Sequence, residues 1–357
     1  MKRGYRVSRL VGVVVAQVVL LQGSGLFLDS VAVPIEASKT PKRFVDWCLQ
    51  RDTLPRSPQH TVDELLKIAK TQNCQQADQI LTKAESLYLA KLQIEDLQPL
   101  SSLTPLKKLY LSENQVSDLR PLASLTRLAM LDLGNNKISD LKPLSSLTNL
   151  IGLDLSNNKI SDLKPLSKLT KLTLLSLRLN QISDLQPLSS LTSLTKLDLE
   201  VNQITNLKPL SPLMKLVSLH IAKNQIGDLK PLSSLTKLAV LYIDKNQIAD
   251  LKPLSSLTKL QDLFLSDNQI KDLKPLSALT SLNRLYIENN HITDLRPLAD
   301  LTKLKDLDLR NNQITDIKPL SALTHLERLD LEGNQAIADK TCPVKSEYVC
   351  HFAPYSR

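Results

Sequence analysis

Apolar and polar positions alternate along most of the chain in a pattern that repeats every 22 residues. One period reads "LIGLDLSNNKISDLKPLSKLT", from Leu150 to Thr170. The alternation in "LDLSNN" predicts a short strand with one buried face, and the proline in "DLKPL" predicts a short helical turn because proline fixes φ there. A single period cannot bury its leucines alone, so the pattern predicts a stack of similar coils.

An asparagine marks the same position in eleven consecutive periods. Its amide has two donors and an acceptor, so it can pair with backbone groups where the chain turns inward between coils. An earlier period, "LYLAKLQIEDLQPLSSLT", has Leu92 at this position, which brings the expected number of coils to about twelve. The expected structural asparagines are Asn114, Asn136, Asn158, Asn180, Asn202, Asn224, Asn246, Asn268, Asn290, Asn312 and Asn334.

This repeat resembles the leucine-rich repeat, and its length and its D-L-x-P-L-x-x-L-T half resemble those of bacterial internalin-type proteins. The resemblance covers residues 86–337. It implies an α/β solenoid with a parallel concave sheet, a convex side of 3₁₀ and irregular structure, and a helical N-cap. Internalin-like proteins as a family bind other proteins, so the resemblance also implies a non-enzymatic interaction module with a protein ligand on its concave face.

The segments outside the repeats predict caps for the terminal coils. Residues 38–85 predict a helical N-cap, and residues 338–357 predict a short C-cap. Thr61 to Glu64 has the pattern of a capping box, which predicts that a helix begins there. Apolar residues share one face of each expected helix: Phe44, Trp47 and Cys48, then Val62, Leu65, Leu66 and Ala69, then Cys74, Ala77 and Leu81.

The first 37 residues have the pattern of a signal peptide or an N-terminal anchor. Basic residues from Lys2 to Arg9 precede an apolar run from Leu10 to Leu28, as in export signals. We therefore expect a secreted, periplasmic or cell-envelope associated bacterial protein. Membrane contact is expected only where this segment stays uncleaved.

Four cysteines allow three pairings. Twelve stacked strands about 4.8 Å apart separate the two caps by roughly 50 Å, whereas a disulfide needs Cα atoms within about 7 Å. We therefore expect Cys48 to pair with Cys74, and Cys342 with Cys350, in an oxidising compartment.

The formal net charge of +9 is compatible with anionic partners. A basic residue precedes the proline of nearly every coil, but an aspartate stands two residues ahead of most of them, and no aromatic residue is nearby to stack on bases. We therefore expect local charge balance and no nucleic-acid partner. The basic positions are Arg120, Lys142, Lys164, Lys208, Lys230, Lys252, Lys274, Arg296 and Lys318.

Residues suited to catalysis are scarce, and no catalytic or phosphate-binding motif is present. Ser176, Asp198 and His220 occupy the same position in three successive coils, but a catalytic triad needs the histidine between the other two. We expect no enzyme activity, cofactor or metal. Adjacent carboxylates in that position, expected to be solvated acidic patches, are Asp132 with Asp154 and Asp308 with Asp330.

Aromatic residues make up only 3% of the chain, and those in the repeats all fall between the two strand leucines. This position points away from the buried leucines. We expect His220, Tyr242, Phe264 and Tyr286 to form a row of exposed rings about 5 Å apart, as in a protein-binding hot spot. Further residues expected at this site are Val240, Asp262, Arg284, Asp244 and Glu288, with Leu179 and Val201 as a smaller apolar step.

Two other interpretations of the ring row stay open. The rings could serve only strand packing and be copied with the repeat. They could also stack on a carbohydrate, with the basic positions binding an anionic polymer of the cell envelope. We favour a protein ligand, bound by a monomer.

Overall fold

The computed structural model describes residues 43–344 and 347–352. The expected signal or anchor, residues 1–37, lies outside these ranges, as do residues 353–357 of the expected C-cap. Among the helices in the described ranges, none combines the length and hydropathy of a membrane span.

From residue 43 onward, three α-helices precede the repeats: α1 Phe44–Leu49, α2 Arg56–Ala69 and α3 Cys74–Leu81. The predicted helix start at Thr61 is wrong. Helix α2 begins five residues earlier, directly after Pro55, and the Thr61 hydroxyl is buried and donates to the carbonyl of Asp96 at 2.7 Å. The threonine therefore joins the helix to the first coil instead of capping the helix.

Within the described ranges, thirteen strands form one parallel sheet in which the order in space is the order in sequence. Leu241 lies opposite Leu219 on one side and Leu263 on the other. Because neighbours pair 22 residues apart in β1 to β12, each sequence position forms a straight row across the sheet. The strands β1 to β13 are Ser86–Tyr88, Lys108–Tyr110, Met130–Asp132, Gly152–Asp154, Leu174–Ser176, Lys196–Asp198, Ser218–His220, Val240–Tyr242, Asp262–Phe264, Arg284–Tyr286, Asp306–Asp308, Arg328–Asp330 and Cys350–His351.

A 3₁₀ helix returns the chain on the other side of each coil. The backbone N–H of Arg120 donates to the carboxylate of Asp118 at 2.9 Å, and the equivalent bond recurs in the following coils. The 3₁₀ helices of the repeats are Gln98–Leu100, Arg120–Ser124, Lys142–Ser146, Lys164–Lys168, Gln186–Ser190, Lys208–Leu210, Lys230–Leu232, Lys252–Leu254, Lys274–Leu276, Arg296–Leu298 and Lys318–Ala322, and two more lie outside them, Arg51–Thr53 and Glu347–Val349.

The core is a continuous leucine and isoleucine layer between the sheet and the 3₁₀ helices. An asparagine side chain lies at its edge in each coil. Asn246 donates to the carbonyls of Ile221 and Ile243 at 3.1 and 3.0 Å and accepts from the N–H of Ile226 at 3.0 Å. All eleven expected structural asparagines make this set of bonds, so the ladder ties each coil to the one before it.

The four cysteines form two disulfides in the expected pairing. Cys48 and Cys74 join α1 to α3, with Cα atoms 5.6 Å apart. Cys342 and Cys350 join the segment after the last repeat to β13, with Cα atoms 5.7 Å apart. Strand β13 extends the sheet beyond the predicted repeats, because Leu329 and Asp330 pair with it.

Candidate functional site

The middle leucine of each repeat strand is buried, and the residues on either side of it project from the opposite face of the sheet. We call this the open face. The residue after each middle leucine belongs to the central row, which consists of Tyr88, Tyr110, Asp132, Asp154, Ser176, Asp198, His220, Tyr242, Phe264, Tyr286, Asp308 and Asp330.

Four rings of the central row form one continuous series of ring contacts, which we call the ring row. The centroids of His220 and Tyr242 are 4.3 Å apart. Tyr242 and Phe264 stack with centroids 4.0 Å apart and 9° between their planes. Tyr286 meets Phe264 edge to face at 4.8 Å. The structure therefore brings the four predicted rings together on one face.

The expectation that Phe264 is exposed is wrong, since its exposed fraction is 8%. The ring is not part of the leucine core. Instead, Tyr242 and Tyr286 cover it from both sides, and the guanidinium of Arg284 lies 5.9 Å from its centroid. Phe264 thus supports its neighbours, which present the exposed part of the row.

An ion pair between a buried carboxylate and an exposed guanidinium lies beside the ring row. The guanidinium of Arg284 donates two hydrogen bonds to the carboxylate of Asp262, at 2.7 and 2.6 Å, and these bonds raise the pKa of Arg284. Asp262, expected at the surface, is buried. This charged pair holds the arginine in place next to the rings.

The other predicted site residues near the rings lie on the same face or at its edge. Val240 is half-buried at the start of β8. Asp244 accepts from the N–H of Ser266 at 2.9 Å, and Glu288 pairs with Arg310. Burial raises the pKa of both carboxyl groups. Leu179 and Val201 lie farther along the sheet, after β5 and β6.

The trio in the central row has the predicted order, with Asp198 between Ser176 and His220. His220 Nε2 lies 3.1 Å from the hydroxyl of Ser218, which belongs to its own strand. Burial lowers the pKa of His220 and raises the pKa of Asp198. The serine of the trio lies two strands from the histidine, so the three residues do not form a proton relay.

Two of the carboxylates expected to be solvated are buried. Asp308 is 3% exposed and pairs with Arg310 at 2.6 Å. Asp330 is 1% exposed and pairs with Arg328 at 2.5 Å. The expectation of a solvated acidic patch is therefore wrong at this end of the sheet, because an arginine two residues away in the sequence neutralises each carboxylate.

Comparison with known proteins agrees with the repeat geometry. The family model "Leucine Rich repeats (2 copies)" matches residues 106–146, 126–168, 148–189, 170–212, 215–256, 258–300 and 302–341. The chain is 36% identical to an internalin (inlF) from Listeria monocytogenes, over 77% of this chain and 82% of that one, with a TM-score of 0.73. The chain belongs to the internalin-like leucine-rich repeat proteins.

Two further solved structures resemble this internalin-like protein. The functional domain of InlJ from Listeria monocytogenes is 29% identical over 72% of this chain and 56% of that chain, with a TM-score of 0.67. A leucine-rich repeat protein of Leptospira interrogans is 25% identical over 72% and 78%, with a TM-score of 0.55. No curated protein matches the sequence significantly. Leucine-rich repeat proteins are generally protein-interaction modules, and the internalin fold is a non-enzymatic protein-binding fold.

Sequence reasoning on this internalin-like protein missed a groove on the open face. The groove has a volume of about 390 Å³ and lies between Tyr110 and His220, where the central row has no rings. We call it the acidic groove, because its floor consists of Asp132, Asp154, Ser176 and Asp198. The signal was present in the sequence, because four short side chains separate two groups of rings at one repeat position.

Proposed function

We propose that this internalin-like protein is a non-enzymatic, exported interaction module that binds a protein ligand on its concave, open face. The ring row carries this proposal. Its members are His220, Tyr242, Phe264 and Tyr286, which contact one another in sequence, with neighbouring centroids 4.0 to 4.8 Å apart. Buried and half-buried aromatic residues with charged neighbours are typical of the residues that dominate protein interfaces.

The rings are held in place before any ligand arrives. Phe264 is packed between two tyrosines, and Arg284 is fixed by its two bonds to Asp262. Binding therefore costs little side-chain entropy, which favours affinity. The tyrosine hydroxyl groups add hydrogen-bonding capacity to an apolar surface, as at many interfaces.

The packing of the rings favours a protein over a carbohydrate. A sugar stacks on the face of an aromatic ring, but the facing sides of Tyr242 and Phe264 are already in contact at 4.0 Å. A protein side chain can instead pack against ring edges and the neighbouring aliphatic atoms. We therefore propose no carbohydrate function.

The proposed location is outside the cytoplasm, in the periplasm, at the cell envelope or in the medium. Two disulfides support it, because such bonds persist in oxidising compartments. The basic and apolar N-terminal segment has the pattern of an export signal. We propose that the protein acts there as a monomer.

Affinity capture followed by mass spectrometry tests the function. The wild-type protein, Tyr242→Ala with Tyr286→Ala, and the control Met214→Ala with Tyr348→Ala are compared as baits. The control removes two exposed side chains that belong neither to the ring row nor to the groove. We expect a protein that is retained by the wild type and the control and recovered at least tenfold less by the ring variant. Equal recovery by all three baits, or binding to a glycan array without any protein ligand, would contradict the proposal.

A further inference from the structure

The acidic groove has aromatic walls at both ends. Tyr110 forms one wall and stacks on Tyr88, with centroids 4.6 Å apart and 5° between the planes. His220 forms the other wall and packs on Tyr242. Five strand spacings of about 4.8 Å place the walls roughly 24 Å apart. This length suits several residues of a polypeptide lying across the strands.

The carboxylates of the groove have no cationic partner within 4 Å among the described residues. Asp154 accepts from the N–H of Ser156 at 2.8 Å, and Asp198 accepts from the N–H of Glu200 at 2.9 Å, each through Oδ1. The second oxygens of Asp154 and Asp198 accept no hydrogen bond from the described part of the chain, whereas Asp132 accepts through both oxygens, from the N–H of Gly134 and the hydroxyl of Ser112. The backbone bonds fix Asp154 and Asp198 and leave one oxygen of each for a ligand.

In the part of the open face outside the groove, arginines neutralise the buried carboxylates. Asp262, Asp308 and Asp330 each pair with an arginine, which comes from the neighbouring strand, from just after the same strand and from the same strand, respectively. In the groove, the nearest arginine, Arg178, pairs with Glu200 instead. The same sheet therefore balances its charge in one half and leaves a concentrated negative charge in the other.

Burial raises the pKa of Asp198, and the charges of His220 and Arg178 lower it without cancelling this effect. The ionised carboxylate is thus incompletely compensated. One lysine, Lys196, also lines the groove, but it is exposed and forms no ion pair within 4 Å among the described residues. A cation supplied from outside would stabilise the ionised form of these groups.

Apolar side chains line the groove beside its carboxylates. Leu174 is 38% exposed, although it stands at the start of a sheet strand. Met130 lies across Gly152, and a Cβ atom at that glycine would come within 2.6 Å of the methionine sulfur. The glycine therefore makes room for a flexible methionine, a residue that adapts to varied ligands.

Two strained residues add apolar surface at the edge of the sheet, in the coils that supply Ser176 and Asp198. Leu179 and Val201 have φ angles of +54° and +56°, which bulky and β-branched residues avoid. Leu179 is also 39% exposed. Strain of this kind concentrates at binding sites. In the other coils the position is polar or glycine: Lys91, Glu113, Asn135, Asn157, Lys223, Lys245, Asp267, Asn289, Asn311 and Gly333.

We propose that the acidic groove docks a segment of the protein ligand in which lysine or arginine residues stand next to apolar residues. This inference rests on the proposed function and specifies the chemistry of the partner. The basic side chains pair with Asp132, Asp154 and Asp198, and the apolar side chains pack on Leu174 and the adjoining residues. Because the chain as a whole is basic, with a net charge of +9, the groove is where such a segment is attracted.

The test is selection from a phage-displayed library of random linear peptides. The baits are the wild type, the groove variant with Asp132→Asn, Asp154→Asn and Asp198→Asn, and a control with Asp140→Asn, Asp162→Asn and Asp184→Asn. The control removes the same charge from the 3₁₀ side of the protein. It should fold normally, because Asn206 occupies the equivalent position and accepts from Lys208 at 2.9 Å.

We expect the wild type and the control to enrich peptides that combine basic and apolar residues. Synthetic copies of these peptides should bind the groove variant at least tenfold more weakly. Enrichment of peptides without basic residues, equal binding to the groove variant, or no enrichment would overturn the inference. Circular dichroism checks that all three baits are folded.

The ring variant with Tyr242→Ala and Tyr286→Ala separates this inference from the proposed function. If binding of the selected peptides is weakened by the two tyrosine substitutions and not by the carboxylate substitutions, the ring-row proposal is supported and the groove proposal is contradicted. If peptide binding is weakened by the carboxylate substitutions, while capture of the protein ligand is unaffected by the tyrosine substitutions, the groove proposal is supported and the ring-row proposal is contradicted.

Discussion

The rings of Tyr242 and Phe264 lie face to face, with centroids 4.0 Å apart and only 9° between their planes. The in-register pairing of β8 with β9 places the two residues directly opposite each other. Because the repeat length is constant, two aromatic residues at the same position of successive repeats become neighbours in the sheet and pack against each other.

The contact between these two rings should be measurable as a coupling free energy. Tyr242→Ala, Phe264→Ala and the double variant form a cycle whose interaction term we expect to be about 0.5–1.5 kcal/mol, the usual value for aromatic pairs. Urea unfolding followed by circular dichroism gives the three free energies. Additive effects would show that the stack contributes no stability of its own.

Replacing one ladder asparagine should destabilise the stack of coils. Asn246→Ala removes the partner of two carbonyls and one N–H in the core edge, and we expect a loss of about 1–3 kcal/mol. Gln247→Ala, at the exposed neighbouring residue, is the control and should change the free energy of unfolding little. Equal losses for the two variants would argue against the ladder's role.

Relieving the strain at Val201 should stabilise the protein. Asparagine tolerates the left-handed conformation that Val201 adopts at φ +56°, so Val201→Asn should raise the free energy of unfolding by about 1 kcal/mol. Gln203→Asn, at an exposed residue of the same coil, should have no comparable effect. A lower stability for Val201→Asn would mean that apolar packing at this position outweighs the backbone strain.

Removing the disulfide of the helical segment should lower the stability of that segment more than that of the repeats. Cys48→Ser with Cys74→Ser opens a loop with a sequence separation of 26, at an expected cost of about 3.5 kcal/mol. Trp47 is the one tryptophan of the chain and lies in α1, so its fluorescence reports on this region.

The disulfide at the other end provides the comparison. Cys342→Ser with Cys350→Ser opens a separation of 8 residues, with an expected cost of about 2.5 kcal/mol. Since coils contact mainly their neighbours, this change should leave the Trp47 transition in urea almost unaltered. An equal shift of that transition by both pairs of substitutions would show that the chain unfolds as one unit.

The stability contributed by His220 should depend on pH. Burial lowers its pKa below the ordinary 6.5, and Arg178 and Lys196 add to this effect while Asp198 opposes it. The unfolded chain therefore takes up a proton at a higher pH than the folded chain does. The contribution is fully present above pH 6.5 and is lost as the pH falls from there through the folded pKa.

A comparison with His220→Gln measures this contribution. The free energy of unfolding of the wild type, relative to the variant, should decrease as the pH falls below 6.5. Protonation of Asp198, whose pKa burial raises, acts in the opposite sense at lower pH and is present in both proteins. A difference that stays constant across this range would contradict the prediction.

The sequence by itself determined the repeat, the parallel sheet and the rows across it. A constant period leaves one way to stack coils that buries every leucine, and that register places His220, Tyr242, Phe264 and Tyr286 side by side. The cysteine pairing followed for the same reason, because the sheet keeps the two ends of the chain apart. These properties depend on periodicity, which a sequence displays directly.

The tertiary structure alone decided which side chains of a row are covered and which charges are paired. Phe264 is buried because the rings on both sides reach over it, and Asp308 is buried because Arg310 folds back onto it. Thr61 lies within α2, and its hydroxyl bonds to the first coil instead of capping the helix. The acidic groove arises where neighbouring side chains are short and no arginine reaches their carboxylates. Burial and pairing depend on side-chain conformations in adjacent coils, and a repeat pattern does not specify them.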